Sequence, residues 1–344
     1  MPNHKNTLRV VVLSSSDDSN ERLIAEAIAD AMLVGNPKGG PGSAVAAAPQ
    51  SLAEGILLEA DAALVLDAPS LRQALEAGVA MCAVVLPSFD VMWPGSLSEA
   101  DCVYVVHETL IPEVLNRGAK KEHVHVIGPI APKRFSHVKD DVRSAREAEF
   151  GLVETTPIVL VPTSGLDAMD LGMALTQLAQ VKSNVQFLFD VDDDVQAAEA
   201  LRREVPGRGI QGRMFADRGR APEYWQLAQV VMTRPRSTDV LKALAVGAGL
   251  VLPKPGRGDG QAAKLLCEIG VAHAVNQDMA IASTIETAIA PAAIERTRRH
   301  IEALDMQSGA RRLAEHIRLR WDGGFGKAAS SQRPRGLPKG LEAL

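Results

Sequence analysis

The stretch LRVVVLSSSDDSNERLIAEAIADAML, residues 8–33, decides how the rest of the chain is read. Its first part is a continuous apolar run ending in small polar residues, and from Asn20 onward apolar positions recur at helical spacing. An uninterrupted apolar strand is one buried on both faces. A strand that passes through a short polar loop into an amphipathic helix is the repeating unit of a parallel sheet covered by helices.

The same rhythm continues outward from it. GNPKGGPGSA (35–44) is too rich in glycine and proline for regular structure and matches no phosphate-loop pattern, so it predicts a mobile loop. SLAEGILLEA (51–60), DAALVLDAP (61–69), SLRQALEAG (70–78) and VAMCAVVLPSF (79–89) then read as helix, strand, helix and strand, with Ser51 and Ser70 as helix N-caps. A further strand and helix (101–119) and HVHVIG (123–128) complete a first domain, and the proline-rich PIAPKRF (129–135) reads as a link. Beyond it the alternation resumes. A helix ending at Phe150 precedes strands at 156–165, 185–190, 211–215, 228–235 and 249–255, with helices between them. An Arg-rich helical stretch spans 284–321. ADCVYVVHE (100–108) and AQVVMTRP (228–235) are expected at corresponding places in the two halves. The domains predicted are 1–132 and 133–322, followed by a disordered tail at 323–344 that holds too little apolar surface to order itself.

Bulk composition agrees with this. A chain of 344 residues exceeds the size at which single cores stop growing, about 250–300 residues. Aromatics make up 3% and the formal net charge is −5, which disfavours nucleic acid as a partner. Cys82, Cys102 and Cys267 sit in apolar stretches as small buried hydrophobes. With no leader-like start and no apolar window of membrane-spanning length, the expected location is cytoplasmic.

YVVHETLIPEVLNRGAKKEHVHVIGPIAPKRF (104–135), REAEFGLVETTPIVLVPTSG (146–165) and VVMTRPRSTDVLKALAVGAGLVLPKPGRGDGQ (230–261) occur in an order that resembles one known family. It is the family of the peptidoglycan lipid-II N-acetylglucosaminyltransferase and the glycolipid synthases that make monoglycosyl-diacylglycerols. The resemblance implies a GT-B fold, two Rossmann-like α/β domains facing each other across a cleft. Gly128, Pro129, Pro132 and Phe135 take the places of the family's strand end and interdomain link. The resemblance also implies a donor site for a nucleotide-diphospho-sugar in the second domain, at Thr163, Ser164, Gly165, Phe215, Arg234, Arg236, Ser237, Asp239, Lys242 and Gln261. The acceptor-side loop would be Ser14, Ser15 and Ser16. The chain departs from the family's pattern where Arg236 and Ser237 replace two glycines, Asp239 a threonine, and Lys242 the glutamate that holds the donor ribose.

A GT-B site needs no metal and no other cofactor, because backbone amides and a helix N-terminus can neutralise a departing diphosphate. The turn at 162–165 is the expected anion cradle, and Arg234 and Arg236 could grip the same diphosphate. Lys242 has no acceptor to offer ribose hydroxyls. The aspartates of FLFDVDDDV (187–195) are expected as helix caps rather than as metal ligands, and the histidines lack zinc-ligand spacing. Arg296, Arg298, Arg299, Arg311, Arg312, Arg318 and Arg320 are expected on a solvated helix face, with peripheral contact to an anionic membrane as the alternative. The function expected is hexosyl transfer from a nucleotide-diphospho-sugar, UDP-linked, to a lipid or other hydroxyl acceptor. The alternatives are a catalytically degenerate binding or scaffold module and a sugar-nucleotide epimerase.

Overall fold

The computed structural model describes residues 8–14, 19–34, 45–46, 57, 60–153, 155–163, 168–192, 194–235, 238–253, 259–275 and 280–322. The glycine-rich loop at 35–44, nearly all of the helix expected at 51–60 and the tail at 323–344 lie outside them. The chain divides into two compact units. One holds the described residues up to Pro87, Val91–Ile130 and the segment from Ser308 onward; the other holds Ser88–Asp90 and Ala131–Gln307.

The first unit runs β1 (Val10–Leu13), α1 (Ser19–Val34), β2 (Val45–Ala46), β3 (Ala62–Val65), α2 (Ala68–Glu76), β4 (Met81–Leu86), β5 (Cys102–Val105), α3 (Ile111–Asn116) and β6 (Val124–Val126). All its strand pairs are parallel, in the order β2-β1-β3-β4-β5-β6. Every residue of β1, β3, β4 and β5 is buried, as continuous apolar runs in a sheet covered on both faces must be. The cap of α2 is Asp67, not Ser70. Its extended backbone lets the carboxylate accept the Ser70 amide at 2.8 Å, while Ser70 itself lies inside the helix and is buried.

The second unit runs α4 (Asp140–Glu149), β7 (Ile158–Pro162), α5 (Ala168–Leu178), β8 (Gln186–Asp190), α6 (Val195–Gly207), β9 (Gly212–Phe215), α7 (Ala221–Trp225), β10 (Val230–Met232), α8 (Asp239–Ala245), β11 (Gly249–Leu252), α9 (Gly260–Glu268), β12 (Ala272–Ala274), α10 (Ile281–Ala288) and α11 (Pro291–Ala303). Its sheet is again parallel, in the order β12-β11-β10-β7-β8-β9. Counted from β7, this is the 3-2-1-4-5-6 order of dinucleotide-binding sheets, with the direction of winding reversing between β7 and β10. In the first sheet the reversal falls between β1 and β3. β5 therefore lies away from the reversal and β10 beside it, so the two segments expected at corresponding places do not occupy them. α9 and β12 are elements that the sequence pattern did not reveal.

The Arg-rich stretch is helical as expected and, among the described residues, runs from the end of α10 through two further helices. Pro291, which lacks an N–H, opens α11, and Asp305 adopts a positive φ of 49° before α12 (Gly309–Arg320). α12 belongs to the first unit and packs on α1, which corrects the boundary expected at residue 322. Its Leu313, Ala314 and Ile317 are buried. The arginines expected on a solvated face are in part internal donors: Arg312 donates to the Ile127 carbonyl at 3.3 Å, Arg318 to the Met32 carbonyl, and Arg320 contacts the Cys102 sulfur at 2.9 Å. Arg299 does lie on a solvated face, where it forms an i,i+4 pair with Glu295 at 2.9 Å.

Candidate functional site

Open parallel sheets bind ligands outside the carboxyl ends of their strands, where the winding reverses. In the second unit that place is bounded by Thr163 after β7 and by Thr233–Arg234 after β10. Arg234 reaches from the end of β10 to Asp170 in the first turn of α5, with Nη2 2.7 Å from Oδ2. One charged pair thus bridges the two sides of the reversal. Asp170 is placed favourably there, because the first turn of a helix exposes unpaired amides that attract negative charge. About half of the Arg234 side chain stays exposed, so its guanidinium keeps donors available to a second anion.

Thr163 is differently engaged. It is fully buried, and both its amide (2.9 Å) and its hydroxyl (3.0 Å) donate to the Asp190 carbonyl. Its side chain ties β7 to β8, and its hydroxyl proton is engaged there. Ser164 and Gly165, and likewise Arg236 and Ser237, lie outside the described residues.

Lys242 and Asp239 form an internal pair one turn apart on α8, 2.9 Å between Nζ and Oδ1, with both side chains largely buried. The ammonium also sits over the rings of Trp225, 5.2 Å from its centroid, and Phe135, 5.6 Å away. Trp225 is fully buried and donates its indole N–H to Asp190 Oδ2 at 2.8 Å; the second oxygen accepts the Asp192 amide at 3.2 Å. Burial pushes the Asp190 carboxyl up, against the Trp225 hydrogen bond, the Asp192 amide and the Lys242 charge. Asp190, Trp225, Lys242 and Asp239 therefore act as one buried polar cluster behind the strand ends, closed on one side by Phe135. Sequence reasoning placed Lys242 and Asp239 here as donor contacts and missed Asp170, Asp190 and Trp225.

Phe215 ends β9 and stacks on Tyr224 at 4.1 Å; Tyr224 stacks in turn on Phe150 at 4.3 Å, and Arg220 covers Phe150. One face of Phe215 is thus taken by a neighbouring ring. Gln261 is exposed in the first turn of α9. In the first unit Ser14 directly follows β1 at the reversal, half-buried, while Ser15 and Ser16 lie outside the described residues. Of the acidic run at 187–195, Asp194 is the N-cap of α6 and accepts the Ala197 amide, as expected of a capping aspartate. Among the described residues no group of three or more histidine, cysteine or acidic side chains could hold a metal. None of their helices is long and apolar enough to cross a membrane.

A glycosyltransferase from Rickettsia africae superimposes with a TM-score of 0.64 at 10% identity, over 95% of this chain and 100% of that one. The fold is GT-B. A protein assigned as a UDP-N-acetylglucosamine 2-epimerase from Listeria monocytogenes gives 0.64 at 11% identity, over 92% and 98% of the two chains. Anabaena HepE in complex with UDP-glucose gives 0.54 at 13% identity, over 94% and 100%. At these identities the likeness is one of fold. No protein-family model and no curated protein sequence matches the chain.

Proposed function

We propose that this chain is a glycosyltransferase-like protein that binds a nucleotide-diphospho-sugar, UDP-linked, at the carboxyl ends of the second sheet. The observation that carries the reading is Arg234, a half-exposed guanidinium at the winding reversal, beside the first turn of α5. A guanidinium and free helix amides are the groups that neutralise a diphosphate without a metal. A solved GT-B structure holding UDP-glucose supports the choice of nucleotide. The reaction class is transfer of a hexose to a lipid or other hydroxyl acceptor, and the resemblance to the lipid-II and diacylglycerol glycosyltransferases supports a lipid.

A second reading, a binding module without turnover, is favoured by Lys242. The position that would offer a carboxylate to the donor ribose holds an ammonium already paired with Asp239. Purified protein incubated with UDP-glucose or UDP-N-acetylglucosamine, with and without diacylglycerol in micelles, separates the readings. Acceptor-dependent release of UDP marks a transferase. Binding with neither release of UDP nor change in the sugar marks the module, and acceptor-independent formation of an epimerised sugar, still UDP-linked or freed together with UDP, marks an epimerase.

A further inference from the structure

The second unit contains a cavity of about 450 Å³ at the other end of its strands. Pro157 and Gln229, which line it, immediately precede β7 and β10, whereas Thr163 and Arg234 follow those strands. Five residues of β7 separate the two ends, roughly 16 Å of extended chain. The remaining walls come from α4, the 155–157 turn, Ile289 just after α10, and α11, all within this unit. The volume lies within the range of small-molecule sites.

The charges lining the cavity are unequally satisfied. Glu147 is held by Arg143 at 2.8 Å, and Glu295 by Arg299 at 2.9 Å. Arg143 also donates to the Leu227 carbonyl. Arg298 is left over: its buried Nε has no hydrogen-bond partner, and no carboxylate among the described residues lies within ion-pair distance of its guanidinium. A half-buried guanidinium with an orphaned buried donor is costly to keep unless something uses it. Beside it Thr155 holds a φ of +73°, a strained conformation for a β-branched residue of the kind found where a backbone is shaped around a ligand. Ile289 and Ile294 supply an apolar wall.

We propose that this cavity is a second ligand site, which takes a small molecule with a phosphate or carboxylate head on Arg298 and a body that lies on Ile289 and Ile294. The head matches the forked donors of a guanidinium, and the paired glutamates leave Arg298 as the uncompensated charge. The site is separate from the nucleotide site and does not depend on it.

Calorimetric titration of the full chain with inorganic phosphate, glucose 1-phosphate and benzoate tests this and tells a phosphate head from a carboxylate one. At least one probe is expected to bind at millimolar concentration or below. Arg298→Gln should weaken that binding about tenfold or more, whereas Arg234→Gln should leave it unchanged. The melting temperature of unliganded Arg298→Gln should equal or exceed that of the wild type, since an unused buried charge is removed. Absence of binding by all three probes, equal binding by Arg298→Gln, loss of binding in Arg234→Gln, or a melting temperature of Arg298→Gln several degrees below the wild type would each overturn the proposal.

Discussion

Gly309 lies against Pro129 so closely that a Cβ on it would stand 2.1 Å from the Pro129 carbonyl oxygen and 2.8 Å from the carbonyl carbon. Here α12 begins against the segment that leaves β6, and no side chain fits between two backbones at that distance. Gly309→Ala should lower stability by about 3 kcal/mol, the upper end of overpacking costs, because neither backbone can yield as a side chain would. Urea denaturation measures it. Unchanged stability would mean that the start of α12 is not seated there.

That return of the chain was not legible in the sequence, and the reason is physical. Leu313, Ala314 and Ile317 give α12 an ordinary apolar stripe, and a stripe does not say which sheet it covers. The strands were legible, because the buried runs of β1, β3, β4, β5 and β7 are apolar throughout, as few other structures require. The short β12, with only its first residue buried, carries no such signal. At the candidate site, the place of Arg234 after a strand was legible. Its pairing with Asp170 was not, because it depends on β7 and β10 becoming neighbours, and local spacing is silent about that.

The rings of His125 and His316 lie 4.1 Å apart, tilted by 43°, in the first unit, and the Tyr104 hydroxyl is 2.8 Å from His316 Nδ1. Burial, then the charges of His316, Arg320 and His123, lowers His125 to about 4; burial and Arg320 lower His316. Unfolded histidine takes up its proton near 6.5, above both folded values, so the unfolded state binds more protons as the pH falls. Stability should therefore decline from about pH 6.5 toward pH 4. His316→Gln keeps an acceptor for Tyr104 and removes one titrating ring, so its melting temperature should fall less steeply over that range. Equal slopes would show that the cluster does not titrate with folding.

Lys242→Glu restores the residue type that the family resemblance calls for, yet the structure predicts a destabilised protein rather than a tighter site. The ammonium facing Asp239 and the Trp225 and Phe135 rings would become a carboxylate close to both Asp239 and Asp190. Breaking a buried pair in this way costs about 3–5 kcal/mol. Thermal unfolding of Lys242→Glu beside Lys242→Met separates the repulsion from loss of the pair, with the glutamate variant the less stable. A glutamate variant as stable as the wild type would place Lys242 outside the buried cluster.

The account rests on Arg234 as the cation for a nucleotide diphosphate, and calorimetric titration with UDP tests it most directly. The wild type should bind UDP, and Arg234→Gln should weaken binding about tenfold or more, since a charge-assisted hydrogen bond contributes about 1.5–3 kcal/mol. Asp170→Asn, which removes the carboxylate now 2.7 Å from the guanidinium, should bind UDP as tightly as the wild type or more so. No UDP binding by the wild type at millimolar concentration, or equal affinity in Arg234→Gln, would contradict the account.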